Sequence, residues 1–128
     1  MTDQNHHREL TQEELLAEAT TRFGDDPLDW AFRCPHCGDV ATGRDFREAL
    51  AEHPRTNRHT SEPMIASDIV GQECIGRTLG ALTRDGKYRG RGCNWVAYGL
   101  FPGPWTIKLP GGRTMAAFAL ADAAGGNR

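Results

Sequence analysis

The residues in this chain best suited to chemistry are its four cysteines, and two of them sit in Cys34-Pro35-His36-Cys37-Gly38. Two cysteines separated by two residues, with glycine directly after the second, form a tight turn that aims both sulfurs at one point. Thiolates presented in this way hold zinc, which takes four ligands in a tetrahedron. His36, inside the turn, reads as a spacer rather than a ligand.

Two pairs of residues could complete the tetrahedron. Cys74 and Cys93 would give a closed all-thiolate site, structural rather than catalytic because no position stays open for water. They would arrive from separate segments and tie the two halves of the chain together. His53 and His59 would instead give Cys-x2-Cys-x15-His-x5-His, at the edge of the spacing of a finger with two cysteines and two histidines. Phe32 and Leu50 stand where such a finger has its apolar residues. Against it, Pro54 interrupts the chain between the histidines, and the stretch after Cys37 is long.

These residues need elements to carry them. Thr11-Gln12-Glu13-Glu14 is a capping box opening a helix to Phe23, with Leu15, Ala19 and Phe23 on one face and Gly24 as its stop. Trp30, Phe32 and Cys34 alternate with Ala31 and Arg33, as in a short strand that delivers the chain to the cysteine turn. Val40 and Ala41 start a return strand. Thr42 caps a second helix, residues 43–52, with Phe46, Ala49 and Leu50 facing inward. Residues 54–63 read as a polar loop, residues 64–70 as one or two helical turns, and residues 72–77 as a half knuckle around Cys74. Cys93 to Gly99 reads as a strand. Residues 105–109 and 113–118 flank Pro110-Gly111-Gly112 as a β-hairpin.

The expected fold is therefore α+β: an N-terminal helix, a zinc knuckle, a second helix, and a short antiparallel sheet ending in a hairpin. Residues 11–120 form one zinc-binding domain between flexible ends at 1–10 and 121–128. With 128 residues, 38% hydrophobic, 15 Gly and 7 Pro, the chain is loop-rich and short of core, which favours a metal staple. No stretch approaches the ~20 apolar residues of a membrane span. The polar start has no apolar segment of a secretory signal, which points to the cytoplasm, where thiols stay reduced and cysteines read as ligands before disulfides.

Several segments together resemble an uncharacterised family of small four-cysteine zinc-knuckle proteins found in actinobacteria and their phages. They are Thr11 to Leu15, Arg22 to Pro27, Trp30 to Asp39, Gly71 to Arg77, Gly90 to Phe101 and Gly103 to Trp105, and the Gly92-Cys93-Asn94-Trp95 run is the most specific. The family's pattern includes positions matching Cys74 and Cys93 and omits those of His53 and His59. The resemblance thus implies one structural zinc on Cys34, Cys37, Cys74 and Cys93. It implies no activity.

The net charge of −2 conceals an asymmetry: residues 1–52 hold 12 acids and 5 bases, and residues 53–128 hold 5 acids and 10 bases. The basic set Arg77, Arg84, Lys87, Arg89 and Arg91 lies in a glycine-rich stretch beside the aromatics Trp95, Tyr98 and Phe101. Such a combination suits phosphate contacts and base stacking. It equally describes a solvated loop next to packing aromatics, and no phosphate-binding glycine motif is present. No hydrolase motif accompanies Glu73 or the histidines. The expectation is a non-enzymatic zinc protein, phage or prophage encoded, that docks to a host or phage protein. A nucleic-acid binder using residues 77–91 is the alternative, and a zinc-dependent enzyme comes third.

Overall fold

A computed structural model gives the fold, described here for residues 7–82 and 87–122. It is a small α+β arrangement in which two capping boxes set the two main helices. In α1 (Gln12–Phe23), the Thr11 side chain accepts from the Glu14 amide at 3.0 Å, and Glu14 Oε1 accepts from the Thr11 amide at 2.8 Å. In α2 (Gly43–Glu52), Thr42 and Asp45 exchange the same pair of bonds at 3.2 and 2.9 Å. Each box satisfies amides that a helix start would otherwise leave unpaired. Phe46, Ala49 and Leu50 of α2 are buried, as their spacing requires.

Two three-stranded sheets complete the frame. In the first, β1 (Arg8–Thr11) pairs in parallel with β4 (Trp105–Lys108), which pairs antiparallel with β5 (Thr114–Ala117) around a turn at Pro110–Gly112. In the second, β2 (Ala31–Arg33) lies between β3 (Val40–Thr42) and β6 (Ala119–Leu120), antiparallel to both. The chain passes from one sheet to the other at Phe118, whose amide donates to Gly71 O at 2.8 Å. Two short helices, α3 (Ala66–Ile69) and α4 (Gly76–Leu79), pack with α2 into a second apolar cluster. A third cluster, with Cys34, Cys74, Ala97 and Phe118 at its centre, surrounds the cysteines.

Three expectations from sequence need correction. Residues 8–10 are not a frayed end: Leu10 is buried in the first core, Arg8 lies over the Trp105 ring at 4.7 Å, and Arg8 pairs with Glu18 at 2.7 Å. At the other end Ala121 is 1% exposed and its amide donates to Ala31 O at 2.8 Å, so the fold continues past Leu120. Residues 1–6 and 123–128 of the two ends lie outside the described residues. Residues 93–99 do not form a strand. A single bridge joins Val96 to Glu73, with Cys74 N donating to Trp95 O at 2.9 Å and Ala97 N to Gln72 O at 2.8 Å. Gly92, at φ +77°, and the Pro102-Gly103-Pro104 turn bend the chain on both sides and leave no room for a longer ladder.

Candidate metal centre

The first two sulfurs come from the turn between β2 and β3. Cys34 N donates to Asp39 O and Gly38 N donates to Cys34 O, both at 2.9 Å, which closes the turn on itself. Gly38 sits at φ +82°, a conformation open to glycine and costly for other residues, which explains the glycine after the second cysteine. The folded turn points the amides of His36 and Cys37 at the Cys34 sulfur and that of Asp39 at the Cys37 sulfur.

The other two sulfurs are brought together by a close crossing of segments 72–76 and 92–97. Cys74 precedes α4, and its sulfur accepts from the amides of Gly76 and of Cys93, the latter at 3.2 Å. The Cys93 sulfur accepts from Trp95 N at 3.4 Å. The crossing depends on Gly76, where a Cβ would stand 2.5 Å from Cys93 N and 2.4 Å from Cys93 O. Sequence reasoning missed this role, although a glycine two residues after Cys74 was there to be read as a close approach.

The four sulfurs lie within 4.8 Å of one another, with Cys34 to Cys93 at 3.7 Å and Cys37 to Cys74 at 3.6 Å. A tetrahedral centre with metal–sulfur bonds of 2.3 Å has sulfur–sulfur edges of about 3.8 Å, so these separations suit a shared ion. They are far from the ~2.0 Å of a disulfide, and all four cysteines are free. His53 and His59 do not join the group. His53 caps the end of α2 as an exposed residue, and His59 is exposed in the loop with its amide on Asn57 Oδ1.

Hydrogen bonds and burial set the thiols of the group apart in acidity. The hydrogen bond from Cys34, with help from the Gly76 and Cys93 amides, draws Cys74 down to about 5 against the cost of burial. The same bond and burial push Cys34 far up, and burial pushes Cys37 up to about 12. A cation bound among the sulfurs would favour the thiolate form of its ligands.

Charged and aromatic residues brace the centre. Glu73, next to Cys74 and 6% exposed, meets Arg55 at 3.0 Å and Arg77 at 3.6 Å, and accepts from the Tyr98 hydroxyl at 2.7 Å. Arg91 donates to Asp39 and to Val40 O at 2.8 Å, and reaches Asp45 at 3.3 Å, clamping its loop to the first knuckle and the start of α2. His36 stacks on Trp95 with ring centres 4.7 Å apart, and Trp95 stacks in turn on Phe101 at 6.3 Å. Tyr98, Leu100 and Phe101 are 55%, 89% and 68% exposed. A shallow groove of about 320 Å³ runs beside them, lined by His36, Trp95, Phe101, Pro102 and Pro104 among others.

The basic set does not form one uncommitted strip. Arg77 faces Glu73 and donates to Asn94 O at 2.8 Å, and Arg91 is held by two carboxylates. Lys87 and Arg89 are exposed, and Arg84 lies outside the described residues.

Fold and site together define a small α+β protein with a four-cysteine centre able to hold a metal ion. The chain belongs to the VVA0879-like family, an uncharacterised family of small proteins whose pattern matches residues 11–121. No curated protein and no solved structure matches it. Among the described residues, no helix is long and apolar enough to cross a membrane.

Proposed function

We propose that this is a non-enzymatic docking protein whose fold is fixed by one structural zinc ion. The observation that carries the reading is the convergence of four cysteine sulfurs from separate parts of the chain. Soft thiolates in tetrahedral reach suit zinc. Four protein ligands leave no position on the metal for water, the nucleophile that zinc hydrolysis needs, and this favours a structural role over an enzyme.

The docking half of the reading rests on the shelf of Tyr98, Leu100 and Phe101 beside the Trp95 stack. Adjacent large apolar side chains left in water mark interaction surfaces. A protein partner is favoured over nucleic acid because Arg77 and Arg91 already face acids of this chain. A phage or prophage origin, implied by the resemblance noted above, makes a host or phage protein the natural partner, met in the cytoplasm.

Elemental analysis of protein purified under reducing conditions tests the metal. One zinc per chain is expected, and a folded metal-free chain overturns the reading. Affinity capture from the natural host tests the docking. A Leu100→Ser/Phe101→Ser variant that keeps its zinc should lose a partner that the parent retains. Salt-sensitive DNA or RNA binding, abolished by replacing Lys87, Arg89 and Arg91, would establish the nucleic-acid alternative instead.

A further inference from the structure

We infer that the four-cysteine centre is a peroxide-sensitive clamp: oxidation replaces the metal by two disulfides, Cys37–Cys74 and Cys34–Cys93, that join the same two halves of the chain. The inference rests on the metal reading above and extends it to regulation. Cys37 is exposed, whereas Cys34 and Cys74 are buried. A small oxidant therefore meets the Cys37 sulfur first. The sulfur 3.6 Å from it belongs to Cys74, across the crossing, and Cys34 lies 3.7 Å from Cys93 in the same relation. Both pairs connect the turn between β2 and β3 to the segments around residues 74 and 93. Closing them needs each pair of sulfurs to approach by under 2 Å to reach disulfide length.

The chemistry balances with hydrogen peroxide as oxidant. The Cys37 thiolate attacks the O–O bond, an S–O bond forms, and hydroxide leaves. The Cys74 thiolate then attacks the Cys37 sulfur, the S–S bond forms, and a second hydroxide leaves. Cys34 and Cys93 repeat the sequence with a second peroxide. Four sulfurs together give up four electrons, two peroxides with four protons become four waters, and the cation is released without changing its oxidation state. The oxidised chain exchanges a metal tie for covalent ties of the same connectivity and keeps its fold.

The test titrates the intact, reduced, metal-loaded protein with hydrogen peroxide. Released zinc is followed with a chromogenic chelator, and disulfides are mapped by non-reducing peptide mass spectrometry. The expected result is one zinc released per two disulfides, with peptides Cys37–Cys74 and Cys34–Cys93, and a far-UV spectrum that survives. Dithiothreitol plus zinc should restore the starting state. A local Cys34–Cys37 disulfide, sulfinic acid at Cys37 without cross-links, or unfolding on oxidation overturns the inference. If the purified chain holds no zinc, the metal reading fails, and the disulfide map of the same sample still decides the pairing.

Discussion

The two halves of the cysteine centre are built on different principles. The Cys34–Cys37 knuckle is local: a hairpin turn with its own backbone bonds and a glycine at φ +82° places both sulfurs. The Cys74–Cys93 half is assembled across 19 positions of sequence by two segments that touch through Gly76 and Gly92. A local turn pays little loop-closure entropy, whereas the long-range half must offset the ordering of everything between its cysteines. A metal bound at the four cysteines would therefore contribute most to the second half. It would turn a crossing that has one isolated bridge into a fixed junction.

Metal removal should break the comparison most strongly. Structural zinc contributes on the order of 10 kcal/mol to small domains, comparable to the whole stability of a domain this size. Chelation is expected to abolish cooperative thermal unfolding. Hydrogen exchange on the chelated chain should show amides of residues 72–76 and 93–97 fully exchanging, while amides of the first knuckle and α2 keep residual protection. Equal loss in both halves would show that the first knuckle has no independent stability.

Two glycine substitutions compare the halves without touching a sulfur. Gly76→Ala puts a Cβ about 2.5 Å from the Cys93 backbone, where neither partner can rotate away. It should cost about 3 kcal/mol or more and weaken metal retention. Gly38→Ala meets the penalty of a left-handed backbone, about 1–2 kcal/mol, and should keep the metal. Chemical denaturation with zinc quantified before and after separates the two. Similar costs at both positions would mean that the crossing is looser than its contacts imply.

Glu73→Gln probes the brace of the second half. The carboxylate is buried and faces Arg55 and Arg77, so its loss leaves two guanidinium groups underpaired at a cost of about 3 kcal/mol. The expected readout is a lower unfolding midpoint together with faster zinc transfer to a chelator. An unchanged transfer rate would confine Glu73 to anchoring the loop that carries Arg55.

The same division decides what the sequence disclosed. The first capping box, Thr42 as the cap of α2, the buried face of α2, the Cys34–Cys37 turn and the hairpin around Pro110–Gly112 were legible because each is specified within a few residues. Cys74 and Cys93 stood as one of two ligand pairs on chemistry alone, and resemblance to a family favoured them over His53 and His59. The strand at Arg8–Thr11 was illegible because its one buried apolar residue, Leu10, gives no alternation, and its parallel partner lies almost a hundred positions away. The supposed strand at 93–99 failed for the opposite reason: aromatic and β-branched residues favour extended chain, but among the described residues the one bridge it makes is to the short segment beside Cys74. Glu73 was visible as a neighbour of Cys74, yet its partners Arg55 and Tyr98 are brought to it only by the fold.

The smallest expected effect sits on the seam between the two halves. His36 belongs to the first knuckle and Trp95 to the second, and their parallel rings form a direct side-chain contact across the metal centre. Aromatic pairs contribute about 0.5–1.5 kcal/mol, and the exposure of His36 puts this one at the low end. His36→Ala should therefore lower global stability by only about 0.5 kcal/mol. Its kinetic effect should be clearer, because opening the centre requires the knuckle to separate from Trp95. A several-fold faster zinc transfer is expected for His36→Ala, and His36→Phe should restore the parent rate because ring stacking, not a nitrogen ligand, is what it supplies. If Phe fails to rescue, the imidazole acts through its nitrogens, and the local half is less self-contained than its backbone bonds indicate.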